Sequence, residues 1–215
     1  MASKIDPAQV TETALRLLNE TGLDGLTLRR IAKELDVQAP ALYWHFASKQ
    51  ALLDAMATEM FRRMAQDGRP GPDADWPDWI TSACRTLRRA LLGYRDGAKV
   101  FGGTHFTDTD HAGLLEAHLA ALVAAGFPLD DAVFALSTGY AYTVGFVIEE
   151  QSVHPLPGER DERFDVAARA ELIGPAHPLA AAAGAGLFTG FEERFERGLA
   201  VLVAGIAATG PATRP

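Results

Sequence analysis

Four ring-bearing side chains in a row, Tyr43, Trp44, His45 and Phe46, stand close to Pro40 in the stretch APALYWHFASKQALL (39–53), in a chain with only 8% Phe, Trp and Tyr. Four consecutive rings cannot all point into one core. Phenol, indole and imidazole edges, with Arg29, Arg30 and Lys33 upstream and Lys49 downstream, can stack, donate hydrogen bonds and neutralise phosphate. That is the chemistry of recognition rather than of bond making. Signatures of catalysis are missing: there is no G-x-S-x-G, P-loop, dinucleotide fingerprint or Cys–His nucleophile arrangement, so the chain reads as a non-enzyme. Cys84, the only cysteine, excludes an internal disulfide and reads as a small buried hydrophobe in a helix. His111 and His118 are seven apart and can share a helix face with His105 nearby. With no H-E-x-x-H pattern and no close carboxylate pair, these histidines read as packing or surface groups, and no metal or cofactor is expected. Glu149-Glu150, ending an apolar run, fits either a perturbed carboxylate or a solvated helix end.

The elements that must hold the cluster follow from punctuation and period. Asp6-Pro7 starts a helix whose apolar residues Val10, Ala14, Leu17 and Leu18 run to a stop at Gly22. Thr27 can cap a short helix to about residue 35 with Leu28, Ile31 and Ala32 inward and Arg29, Arg30 and Lys33 outward. A brief break at Asp36-Val37 precedes another short helix at about 39–45, and Ser48 caps a fourth. Two helices joined by so tight a turn, behind a third, follow the plan of a helix-turn-helix, whose second helix enters the DNA major groove. The turn needs a left-handed residue, and Asp36 tolerates that conformation. Charge agrees: the first 64 residues hold eight basic and eight acidic side chains, while the remainder holds 12 and 20, the whole of the −8 net charge. One segment is thus suited to a polyanion and the other is not. GRPGPDAD (68–75) reads as a linker. Helical patterns resume at about 76–92, 96–102, 108–125, 129–151, 162–173 and 186–208, with no repeat and no strand-like alternation. The expected fold is all-α, in two domains at 1–66 and 67–215. At 215 residues a sizeable core can form, and with neither a signal-peptide pattern nor an apolar run of about 20 residues the protein is expected in the cytoplasm, off the membrane.

The stretch TGLDGLTLRRIAKELDVQAPALYWHFASKQALLDAM (21–56) resembles the DNA-binding domain of the tetracycline-repressor (TetR) family, with its tight helix-turn-helix, L-Y-x-H-F-like segment and K-x-x-L at the start of helix 4. WPDWITSACRTLRRALLGYRDGAKVFGGT (76–104) and GFPLDDAVFALSTGYAYTVGFVIEEQ (126–151) are similar to that family's ligand-binding domain. The resemblance implies a homodimeric repressor that binds a near-palindromic double-stranded DNA operator and answers to a small-molecule effector. It puts Arg29 at a base edge, Gln38, Ala39, Pro40, Ala41 and Tyr43 in the groove, and Thr27, Tyr43, His45 and Lys49 at phosphates. His45 has a second reading, packing, and Trp44 and Phe46 are expected to pack beneath the module. Ala39 and Ala41 replace polar base-reading residues of the family, which implies a different operator.

In the other domain the resemblance puts Phe101 where the family has a histidine ligand for a magnesium–drug complex. Ala65, Ala83 and Leu87 occupy drug-contacting positions, His118 a glutamine position, and Glu149 that of a metal-linked carboxylate. Magnesium–tetracycline is therefore not the expected effector. A hydrophobic or aromatic molecule is, in a pocket formed by Ala83, Leu87, Phe101, Thr104, His105, Leu115, His118, Tyr140, Phe146 and Glu149. The helix at 129–151 is apolar nearly all round and requires cover on every side. With the C-terminal helix it is expected to form a four-helix bundle in the dimer, through Ala135, Gly139, Tyr142, Phe188, Phe191, Phe195, Leu199 and Leu202. Two competing readings are one monomeric core containing both helices, and a DNA-bound regulator that answers to a protein partner or activates without a small ligand.

Overall fold

The computed structural model describes residues 6–66 and 74–210, which are helical with no strand. The linker at 68–75 and the domain boundary at 66/67 lie outside the described residues, apart from Ala74, Asp75 and Gln66. Helix α1 (Pro7–Gly25) is capped by Asp6, whose carboxylate accepts from the Ala8 N–H at 3.0 Å. The helical path breaks at Gly22, where φ is +68°. A side chain there would be strained and would press on the Asp96 carboxylate. Helices α2 (Leu28–Glu34) and α3 (Ala39–Tyr43) flank Asp36 at φ +52°, the left-handed turn residue. Thr27 and Ser48 cap α2 and α4 (Lys49–Met64), accepting from Arg30 and Ala51 N–H groups.

Helices α5 (Trp76–Leu92), α6 (Gly97–Phe101), α7 (His111–Ala124) and α8 (Leu129–Val153) build the second half. A 3₁₀ turn (Glu162–Phe164), α9 (Val166–Ile173), α10 (Pro178–Phe188) and α11 (Phe191–Thr209) complete it. The pattern expected at 186–208 is two helices, divided at Thr189 and at Gly190 with φ +61°. Most of α10 was not foreseen: PLAAAAGAGLF has alanine-rich helix propensity but no apolar stripe to give it a period.

One apolar core runs from α1 through α4 into α5, α6 and α8, joining Leu18, Ile31, Leu42, Phe46 and Met56 to Leu91, Val100 and Val147. The core thus crosses the boundary expected from the linker. A second cluster gathers Ile80, Cys84, Leu122, Phe127, Ala135, Phe195 and Leu199. Gly139 lets α8 close on α5, since a methyl there would meet the Cys84 sulfur at 2.9 Å. At the other end of that contact the Arg88 guanidinium grips Glu150 with two bonds of 2.9 and 2.8 Å and also reaches Glu192. Gln151 accepts from Ala98 N–H and donates to the carbonyls of Leu91 and Tyr94, joining α8 to α5 and α6. By length and composition α8 could cross a membrane. It is instead wedged against α5, α6, α7 and α11 and carries the buried Glu150 and Gln151.

This packing revises the dimer residues. Ala135, Gly139, Phe191, Phe195 and Leu199 lie inside the chain's own core. Leu202 packs against that core, and the Tyr142 hydroxyl donates to the Phe195 carbonyl at 2.8 Å. Phe188, on α10 rather than α11, packs with Phe164 and under Arg169. The faces left outward are different ones: Phe134, Ala141 and Gly145 on α8, and Ala200, Val201, Ala204 and Ala208 on α11. With the exposed Ser137 between Phe134 and Ala141, these positions recur every three or four residues, one continuous stripe along each helix.

Candidate DNA-binding face and effector pocket

Thr27, Arg29, Arg30, Lys33, Gln38, Pro40, Tyr43, Trp44, His45 and Lys49 are all exposed, on α2, α3 and the turns around them. Ala39 and Ala41 are half-buried. Among the described residues Arg29, Arg30 and Lys33 make no ion pair, whereas Arg16, Arg62, Arg63, Arg85, Arg88 and Arg95 all do. Thr27 spends its oxygen on the α2 cap, and Lys49 donates to the Leu23 carbonyl at 2.9 Å. Trp44 corrects the expectation that it packs beneath the module: it is 89% exposed, while Phe46 is 5% exposed as expected. The reason is local. Helix α3 ends at Tyr43 and Trp44 is its C-cap, so Leu42 and Phe46, four residues apart, take the inward face and Trp44 is left outside.

Under the same module lies a cavity of about 250 Å³ lined by α4, α5, α6, α7 and α8. Ala83, Leu87, Phe101, Leu115, His118 and Tyr140 line it as anticipated. Thr104, His105, Phe146 and Glu149 do not. The Thr104 hydroxyl turns back to the Phe101 carbonyl, and His105 is exposed with its N–H on Asp54. Phe146 joins the second core, edge-on to Phe195 at 5.2 Å and under Arg194. Glu149 is exposed, about 100° around α8 from the buried Glu150. Lining residues that the sequence reading missed include Phe61 and Met64 of α4, Phe106 and His111, and Ile80 and Leu136. Phe61 and Met64 form an i, i+3, i+4 apolar set with Ala65, which the resemblance had already put at a drug-contacting position, so the signal for its two neighbours was present in the sequence.

Among the described residues the lining contains no Asp, Glu, Lys or Arg. Mg²⁺ demands oxygen donors, usually a carboxylate among them. With Phe101 in the wall and Glu149 outside it, the described residues of the single chain do not supply the donors of a magnesium–drug complex. Burial pushes the Tyr140 phenol and the Cys84 thiol above their ordinary pKa values, the latter despite a hydrogen bond with Thr143. Both are neutral in this pocket, and Cys84 acts as a wall rather than a nucleophile.

Two hydrogen-bonded junctions tie the pocket to the DNA-binding module. At one, Asp96 at the start of α6 accepts from the Leu23 N–H at 2.9 Å, and Arg95 bonds Asn19 through both its backbone N–H and its Nε. At the other, three α4 side chains spaced by four residues hold the loop that follows α6. Asp54 accepts from the His105 N–H, Thr58 from the Thr107 N–H, and Arg62 pairs with Asp108 at 2.8 Å.

An all-helical chain with an exposed helix-turn-helix face and a ligand-sized apolar cavity beneath it defines a class, the pocketed helix-turn-helix regulators. Residues 10–56 match the family description "Bacterial regulatory proteins, tetR family", and residues 69–209 match "Tetracyclin repressor-like, C-terminal domain". The chain belongs to the TetR family. It is 43% identical to the tetracycline repressor protein class A from transposon 1721 of Escherichia coli, over 95% of this chain and 92% of that protein. A possible TetR family transcriptional regulator from Streptomyces coelicolor A3(2) superposes with a TM-score of 0.82 at 41% identity, covering 95% of this chain and all of that one. BioQ, solved with its double-stranded DNA operator, has a TM-score of 0.64 at 30% identity over 95% of this chain and 99% of its own.

Proposed function

We propose that this chain is a ligand-responsive transcriptional repressor that binds a near-palindromic operator as a homodimer and is released by a neutral hydrophobic or aromatic molecule other than magnesium–tetracycline. The observation that carries the reading is helix α4. Its first residue, Lys49, stands at the DNA-binding face, and Phe61 and Met64, about 18–22 Å along at 1.5 Å per residue, stand in the cavity wall. A molecule that moves the wall moves the same rigid rod that carries the helix-turn-helix. Release requires that the effector bind one arrangement of that rod more tightly than the other. The relatives support both ends of the reading, since one is a tetracycline repressor by name and another was solved on its operator.

A dimer follows from the outward apolar stripes of α8 and α11, Phe134 being 64% and Val201 69% exposed. Stripes of this kind on two adjacent helices pair with their twofold copies. The two recognition helices α3 would then meet successive major grooves about 34–36 Å apart. Arg29, with no ion pair among the described residues, suits a bidentate contact to guanine, and Ala39 and Ala41 offer methyl contacts only, so the operator differs from that of tetracycline repressors.

The test is an electrophoretic shift with the DNA upstream of the chain's own gene. We expect a dimeric complex that weakens steeply with salt. Arg29→Ala should cost about 1–3 kcal/mol and relax selectivity at one base position, without altering the melting temperature. A complex insensitive to salt, or unaffected by both Arg29→Ala and Tyr43→Ala, would overturn the proposed docking.

A further inference from the structure

We infer that the cavity selects a neutral hydroxylated arene, a two- or three-ring phenol, and that His111 reads its hydroxyl. The inference rests on the proposal that the cavity is an effector site and names the chemistry of its occupant.

The shape of the lining calls for flat rings. Phe61, Phe106, Phe101 and Tyr140 make an unbroken aromatic wall, with centroids 4.9, 5.7 and 6.4 Å apart in that order, all of them lining the cavity. A volume of about 250 Å³ lies just under the ~300–1,000 Å³ of drug-sized sites, so two or three fused rings fill it. With no charged side chain among the described lining residues, an ionised ligand would find no counter-charge there to offset its lost hydration.

His111 supplies the selectivity. Its ring is tilted on Phe106 at 5.0 Å and edge-on to Phe61 at 6.4 Å, so imidazole and aromatic wall form one surface. Nδ1 lies 3.1 Å from the Asp108 carbonyl oxygen. A carbonyl only accepts, so Nδ1 donates to it, and the Nδ1–H tautomer so selected offers Nε2 as an acceptor, with no hydrogen-bond partner among the described residues. The tautomer is fixed from outside the pocket, by a loop that Arg62 of α4 holds through Asp108 itself. An Nε2 acceptor rewards a ligand O–H and gains nothing from a carbonyl or an ether. Phenols, the strongest neutral O–H donors that also stack, meet both demands.

The experiment is calorimetric titration of the full chain, without DNA, using 1-naphthol and its methyl ether 1-methoxynaphthalene as probes, on the unsubstituted protein and on His111→Phe. We expect 1-naphthol to bind on the order of tenfold tighter than the ether, and the difference to vanish in His111→Phe, which keeps a ring against Phe106 but removes the acceptor. Equal binding of the two probes by the unsubstituted chain overturns the hydrogen bond without recourse to any variant. A preference that survives His111→Phe overturns the assignment to His111, and failure of both probes to bind overturns the ligand class. The repressor reading stands apart from these outcomes: if 1-naphthol binds with a His111-dependent preference yet never releases operator DNA, the selectivity holds and the release mechanism fails.

Discussion

Trp44 and Phe46 show how little sequence separates a surface ring from a core ring. Phe46 is four residues after the fully buried Leu42 and shares its inward face, whereas Trp44 sits where α3 ends and projects into solvent. Phe46→Ala should therefore destabilise the chain by about 3–5 kcal/mol, the cost of a core aromatic truncation. Trp44→Ala should change stability by no more than about 0.5 kcal/mol. Urea unfolding of the two variants checks both, and a Trp44→Ala loss as large as that of Phe46→Ala would contradict the exposure of the indole. The segment was legible as part of a helix-turn-helix, but which of its rings face outward was not. It depends on where α3 stops, and a five-residue helix with a proline inside gives too short a pattern to fix its own end.

At the scale of elements, α6 is the short piece between pocket and DNA-binding module, with Phe101 at one end and Asp96 at the other. Burial by itself would raise the Asp96 pKa. The Lys99 ammonium and Leu23 N–H bonds, with the charges of Lys99 and Arg95, outweigh it and hold the carboxyl below its ordinary 3.8. A carboxyl depressed in the folded state contributes stability that is fully present above its unfolded pKa and lost as pH falls through the folded one. The α6–α1 junction is therefore expected to weaken below about pH 3.8 and to be intact at neutral pH. In Asp96→Asn the stability at pH 7 should be lower and the decline between pH 5 and 3 shallower, read from melting temperature against pH. An unchanged acid slope would mean that Asp96 does not contribute to it. None of this junction was visible beforehand, because Asn19 and Leu23 lie more than 70 positions from their partners Arg95 and Asp96 and meet them only through packing.

For the whole molecule the consequence lies in the outward stripes of α8 and α11. Val201→Glu places a charge in the proposed dimer seam at a position 69% exposed in the single chain. Sedimentation should then report a monomer that melts cooperatively, and operator affinity should fall by orders of magnitude as the second half-site is lost. A Val201→Glu protein that stays dimeric would move the interface elsewhere, with the exposed apolar side chains Leu172 and Leu179 of α9 and α10 as the next surface to probe.

What the sequence determined by itself is everything that local chemistry decides. Asp6, Thr27 and Ser48 had to cap, Asp36 had to turn left-handed, and the short amphipathic helices between them had only one apolar side to bury. That is why the helix-turn-helix and the all-α fold were readable in advance, whereas Phe101 in the cavity wall was implied by the family resemblance alone. Tertiary structure decided the rest. Helix α8 is apolar nearly all round, so its periodicity carries no phase, and only packing against α5 shows that Gly139 faces Cys84 while Ala141 and Gly145 face outward. The same packing put Phe195 and Leu199 inside the chain, turned Phe146 and Glu149 away from the cavity, and brought Phe61 of α4 into its wall. A helix with one apolar face announces its orientation, but a helix apolar on every face takes its orientation from its neighbours.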